Sequence, residues 1–121
     1  MEKGAEVDGP PAYSGGTALQ LAAIEGYVGI ATLLLEKGAD PNFRPAYEDG
    51  RTAFEGAAEW GRVDMMLLLM KWGADLRADS NRQYDRALNF AEGNGQMASK
   101  RFVERLYTES QVSSASEMAQ D

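Results

Sequence analysis

The sequence predicts an all-α solenoid: helix-turn-helix units joined by short, β-hairpin-like fingers, with two full repeats followed by a C-terminal cap. Two internal matches predict it. "GGTALQLAAIEGYVGIATLLLEKGAD" (Gly15 to Asp40) aligns without a gap on "GRTAFEGAAEWGRVDMMLLLMKWGAD" (Gly50 to Asp75), 35 residues later. The polar phrase "EKGAEVDGPPAY" (Glu2 to Tyr13) returns as "EKGADPNFRPAY" (Glu36 to Tyr47), identical at seven of twelve positions. A stacked array must repeat its connection at every joint, whereas a unique globular fold has no reason to. A third, weaker copy, "YDRALNFAEGNGQ" (Tyr84 to Gln96), lies 33 residues beyond the second.

Residues 1–14 read as the end of a preceding repeat whose helices are missing, because Gly4-Ala5-Glu6 matches Gly38-Ala39-Asp40. Residues 15–49 form the first repeat and 50–82 the second. Thr17 and Thr52 precede apolar runs, so each hydroxyl can cap a helix, and Asp85 offers the same acceptor in the third copy. Gly26 and Gly61 then stop the first helix of each unit, with Asn94 between two glycines in the corresponding place, since Gly and Asn tolerate the left-handed conformation. Leucine-rich second helices follow over 28–37 and 63–72, closed by Gly38 and Gly73. The connection "ADPNFRPAYEDG" is turn-rich and too short for another helix.

Residues 83–107 read as a degenerate capping repeat. Aligned at an offset of 33, Phe54 and Ala57 face Ala87 and Phe90, a volume-conserving exchange. Its second helix, "QMASKRFVERLY", keeps apolar Met97, Phe102, Val103 and Leu106 among Lys100, Arg101, Glu104 and Arg105, the wet outer face that a last repeat needs. The tail 108–121, rich in Ser, Gln and Glu without an aromatic residue, is expected to be disordered.

These units resemble the ankyrin repeat, through "TALQLAA" with "LLLEKGAD" and "TAFEGAA" with "LLMKWGAD". Ala18 and Ala53 stand where the family has proline, and Gln20 and Glu55 where it has histidine. More narrowly, "GRTAFEGAAEWGRVDMMLLL" with the connection "FRPAYEDGRT" is similar to the terminal ankyrin repeats of large fungal multidomain proteins. The resemblance implies a concave surface of finger tips and first helices through which a protein partner is held.

Composition narrows the functional classes. The chain has no cysteine and no histidine, so the usual zinc sites, Cys and His nucleophile pairs and the common neutral-pH proton shuttle are absent. No cofactor and no enzymatic activity are expected. A net charge of −7 disfavours nucleic acid. A mild basic excess at Arg77, Arg82, Arg86, Lys100, Arg101 and Arg105 reads as a solvated face. The longest apolar run, "IATLLL", is far too short to span a membrane, and no basic start with an apolar run marks a secretory signal. An intracellular location is expected, cytoplasmic with the nucleus left open.

Several local patterns are weighed against plainer readings. Glu55 and Glu59, four apart, imitate a carboxylate pair, but one helix cannot place two acids across a substrate, and a solvated face accounts for them. Glu48-Asp49-Gly50 is turn chemistry without a calcium loop's ligand series. "SGGT" (Ser14 to Thr17) lacks the GK[ST] ending of a phosphate loop. Gly56 inside a helix implies divergence or a close approach. The favoured site is the aromatic and charged set Tyr13, Phe43, Arg44, Tyr47, Glu55, Glu59, Trp60 and Arg62, proposed to bind a protein partner. The alternative is a structural or self-associating end of a larger array with no partner site of its own. In either case Leu21, Ile24, Ile30 and Leu34 are expected to expose apolar surface on the N-terminal side, allowing weak self-association.

Overall fold

The computed structural model describes residues 17–44 and 50–119, with side chains described as far as residue 110. Six α-helices and no strand occur among them: α1 Ala18–Glu25, α2 Val28–Glu36, α3 Ala53–Glu59, α4 Val63–Lys71, α5 Ala78–Gly93 and α6 Met97–Ala119. The first helices of the units pack in a row, α1 on α3 and α3 on α5, and each also packs on the second helix of its own unit. This is the predicted helical solenoid.

Local chemistry starts and stops the helices as expected. Thr17 and Thr52 each accept from the backbone N–H three residues on, while Gln20 and Glu55 reach back to accept from the N–H of Thr17 and Thr52. Two complete capping boxes result. Gly26 (φ 80°) and Gly61 (φ 70°) reverse the chain in the left-handed region, two residues before α2 and α4 begin.

The core is built from small and large residues in alternation. Ala22, Ala23, Ala53, Ala57, Ala58, Ala87 and Ala91 let the first helices approach closely, while Leu19, Phe54, Met65, Met66, Leu69 and Val103 fill the space behind them. Gly56 marks the tightest point. A Cβ there would lie 2.6 Å from Ile24 Cγ1 of the preceding repeat, so the glycine is required by packing. Ile24 therefore faces the second repeat, which corrects its assignment to the open N-terminal side.

Helix ends are satisfied across the joints. The carbonyl of Ile24, at the end of α1, accepts from Arg62 Nε at 3.0 Å. At the equivalent place one repeat on, the carbonyl of Glu59 accepts from Asn94 Nδ2 at 2.9 Å, and Ala58 O accepts from the buried Ser99 hydroxyl at 2.7 Å. Each unit thus caps its predecessor, which answers the orphan carbonyls that every helix leaves at its C-terminus.

The third unit departs from its sequence reading in three respects. Its turn glycine is Gly95 (φ 72°), whereas Asn94 has φ −101°, and α6 starts at Met97 as α4 starts at Val63. The structural offset is therefore 34. Ala87 then matches buried Ala53 and Ala91 matches buried Ala57, so the inferred exchange of Phe54 and Ala57 with Ala87 and Phe90 is replaced by conservation of small residues. Asp85 does not cap a helix, because α5 is already under way before it. Left-handed backbone at Asp79, Ser80 and Asn81 (φ 54°, 57° and 68°) interrupts that helix at its start, and the regular right-handed turns follow it. Finally, α6 continues to Ala119, through the tail expected to be disordered. From Met97 onward there is neither glycine nor proline to stop it. On α6 Val103 and Leu106 are buried as the cap requires, while Met97 is exposed.

The cap is locked by a stack. The rings of Tyr84 and Tyr107 lie 3.9 Å apart and nearly parallel, and the Arg77 guanidinium covers the outer face of Tyr107 at 3.8 Å while donating to its carbonyl at 2.6 Å.

Two outcomes follow from this packing. Gly56→Ala is expected to destabilise the chain by about 1–3 kcal/mol by thermal or urea unfolding, although alanine is the better helix former by about 1 kcal/mol. With Ile24→Ala in place, the same substitution should cost much less. Burial first, then the Glu104 carboxylate, Tyr107 and Asp85, with Arg77 opposing, raise the Tyr84 pKa above its ordinary value of about 10. Because the fold favours the protonated phenol, stability should be intact below pH 10 and fall as pH rises through the folded-state value. Tyr84→Phe should flatten that alkaline decline.

Candidate functional site

Behind the first finger, repeats one, two and three meet in a polar network. Asp40 and Asp75 hold equivalent turns, their carboxylates accepting from the N–H of Asn42 and Arg77 at 2.8 and 2.9 Å. Asn42 then bridges the fingers. Its Nδ2 donates to Gly73 O, and its Oδ1 accepts from the N–H of Asp75 and from Gln83 Nε2. The Thr52 hydroxyl donates to Gln83 Oε1, while Gln83 Nε2 also reaches Asp75 O. Gln20 Nε2 ties the finger to α1 by donating to Phe43 O at 2.9 Å.

A cleft of about 90 Å³ opens over this network, lined by Asn42, Arg44, Glu55, Asp75, Asp79 and Arg82 among others. That volume is well below the roughly 300 Å³ of ordinary small-molecule sites and suits the insertion of a side chain. Arg44 and Asp79 form an ion pair on its rim, both more than half exposed. Arg82 is also exposed there.

The predicted site residues are dispersed. Tyr13 and Tyr47 lie outside the described residues. Phe43 is half-buried and Arg44 exposed, both on the finger. Glu55 is not on a solvated face: it is 1% exposed, with one carboxylate oxygen in the capping box and the other 3.1 Å from Arg86 Nε. The substitution of histidine by a capping carboxylate brings it inward. Glu59 is half-buried in a two-pronged pair with Arg51, at 2.8 and 3.0 Å. Trp60 is 46% exposed but ends α3, at the far end from the Thr52 cap and the fingers. A helix of this length separates the two by about 10 Å. Arg62 sits over Gly26 and serves the Ile24 carbonyl.

The finger end therefore brings together Phe43 and Arg44 with three residues that sequence reasoning did not select: Asp75, Asp79 and Arg82. Asp75 carried a signal, as the partner of Asp40 at the repeat offset. Arg82 was read only as part of a solvated basic face and Asp79 carried no signal, because their place depends on the left-handed backbone at Asp79, Ser80 and Asn81. Of the basic set, Arg77 stacks on Tyr107, Arg86 serves Glu55 and packs over Phe90, and Lys100 pairs with Glu92, so these cations serve separate local contacts. No group of three or more His, Cys, Asp or Glu suited to a metal occurs among the described residues. No helix among them is long and apolar enough to cross a membrane.

Repeated capping boxes, left-handed turn glycines and joints in which each unit caps the one before define a helix-turn-helix repeat solenoid. Residues 1–80 match the family described as ankyrin repeats (3 copies). The chain belongs to the ankyrin repeat family. It is 38% identical over 72 residues to the "Ankyrin repeat and KH domain-containing protein mask-1" of Caenorhabditis elegans, a match covering 60% of this chain and 3% of that protein. It is 41% identical over 59 residues to "Protein phosphatase 1 regulatory subunit 12A" of Mus musculus, covering 49% of this chain and 6% of that protein, with the same figures for the Rattus norvegicus protein. The chain thus spans a small part of the length of these relatives.

Because Glu55 holds both a helix cap and Arg86, Glu55→Ala should destabilise the fold by about 3 kcal/mol in chemical unfolding, the cost of stranding a mostly buried cation and losing a cap. Glu55→Gln, which installs the residue found at the equivalent position 20, should cost less than half as much.

Proposed function

We propose that the chain is a non-catalytic module that holds a protein partner along its finger end, through Phe43, Arg44 and Arg82 beside the polar cleft, with Tyr13 and Tyr47 of the connecting sequences as further contributors. Ankyrin repeats are protein-interaction modules, and that supports the class. The observation that carries the site is the pair of exposed arginines on the rim of a cleft whose floor is already fully hydrogen-bonded. A satisfied floor holds its shape before binding, so little ordering is required of it when a partner docks. Arginine adds bidentate recognition of carboxylate and carbonyl groups.

Chemistry is disfavoured by the same geometry. The most buried carboxylate, Glu55, is committed to a cap and an ion pair, and the sequence has neither histidine nor cysteine to act with it.

The test is capture of a partner from extract, followed by binding measurements with purified protein. Arg44→Ala with Arg82→Ala is expected to weaken the captured partner at least about tenfold while the melting temperature changes little, since both side chains are exposed. A partner that survives this double substitution but is lost with Trp60→Ala would move the interface to the opposite end of the helices.

A further inference from the structure

The polar cleft beside the finger has its acids engaged and a base to spare. Glu55 gives one carboxylate oxygen to the Thr52 N–H and the other to Arg86. Asp75 accepts from the Arg77 N–H within its turn, and Asp79 is held by Arg44 in the ion pair at the rim. Arg82 differs: its side chain lines the cleft, is exposed, and has no hydrogen bond or ion pair among the described residues. The unmet demand of the cleft is therefore for an acceptor, and a guanidinium fork matches a carboxylate through two parallel bonds.

The backbone that presents Asp79 is unusual as well. Asp79, Ser80 and Asn81 stand in succession at positive φ, where a Cβ crowds the following carbonyl, and none of them is glycine. A run of this kind gains nothing from its own backbone, so contacts such as the Arg44 pair help to keep Asp79 in place, and its departure is not opposed by local conformation.

We propose that the cleft takes a carboxylate from the protein partner, an Asp or Glu side chain set between Arg44 and Arg82, and that Asp79 occupies Arg44 in its place while no partner is bound. The inference rests on the finger end being the partner site. A volume of about 90 Å³ is the share of roughly three water molecules, which admits the three heavy atoms of one carboxylate and not a row of them. The net charge of −7 also repels an acidic run at long range, so the partner segment carries this one acid among neutral residues. Its gain comes at contact, where bonds to two guanidinium groups replace one exposed pair. Asp79 is already more than half exposed, so its release to water requires little rearrangement.

The test is to pan a library of short random peptides, displayed without a free C-terminus, against the full chain and to titrate the selected peptides by calorimetry. They are expected to share one Asp or Glu at a fixed place among neutral residues. Replacing that acid by its amide should weaken binding at least about tenfold, and Arg82→Ala should do the same. Asp79→Asn should instead tighten binding roughly threefold, because the resident competitor is gone while asparagine keeps the tolerance for left-handed backbone. With Arg44→Ala in place, Asp79→Asn should no longer alter affinity. Melting should change little in each variant, since all three side chains are exposed. Peptides that are lost with Arg44→Ala and Arg82→Ala but share a Lys or Arg, or no charge at all, would overturn the carboxylate while leaving the finger end as the partner site. An Asp79→Asn chain that binds no tighter would do so too, as would a library from which nothing is enriched. Peptides indifferent to both arginines would remove the finger-end site itself.

Discussion

The approach of Ile24 to Gly56 sets the distance between the first two repeats, and much of the remaining structure follows from that distance. With no Cβ at position 56, α3 comes close enough to α1 for Arg62 to reach the Ile24 carbonyl and lie over Gly26. The next joint uses different residues for the same end: Asn94 and Ser99 take the carbonyls of Glu59 and Ala58, and Gln96 lies over Gly61. A solenoid has few long-range contacts beyond nearest neighbours, so its stability rests on such joints.

The joints also determine which charged side chains remain available. Glu55, Glu59, Arg51, Arg62, Arg77 and Arg86 are all engaged in holding units together or in packing against Phe90 and Tyr107. Burying Glu55 is tolerable because its two oxygens have separate partners, a backbone N–H and a guanidinium, and because Arg86 is itself anchored on Gly50 O. Each arginine also covers aromatic or backbone surface with its planar head, which lysine would not do as well. Arg44 and Arg82, by contrast, stay exposed beside the finger, among the exposed carboxylates of Asp40, Asp75 and Asp79.

Two ends of the molecule thus differ in physical character. At the fingers a polar floor, satisfied by Asn42, Gln83 and Thr52, supports exposed charge. Along α2, Ile30 and Leu33 are apolar and exposed. The first character favours orientation-specific recognition, and the second favours apolar burial against a neighbour.

The period of the sequence determined the helix-turn-helix units, their caps at Thr17 and Thr52 and their left-handed turns at Gly26 and Gly61, because each of these depends on residues within a few positions of one another. Gly56 was legible as an anomaly but not as a cause, since Ile24 lies 32 residues away. The inward turn of Glu55, the service of Arg62 to its neighbour and the separation of Trp60 from the fingers were likewise invisible. A surface helix and a helix covered on two sides share one amphipathic pattern, and only the neighbouring repeat decides which charges it covers. The third unit shows the same limit: its offset of 34 rather than 33 follows from Gly95 occupying the turn, a choice between adjacent Asn94 and Gly95 that local propensity leaves open and that packing against Gly61 and Glu59 decides.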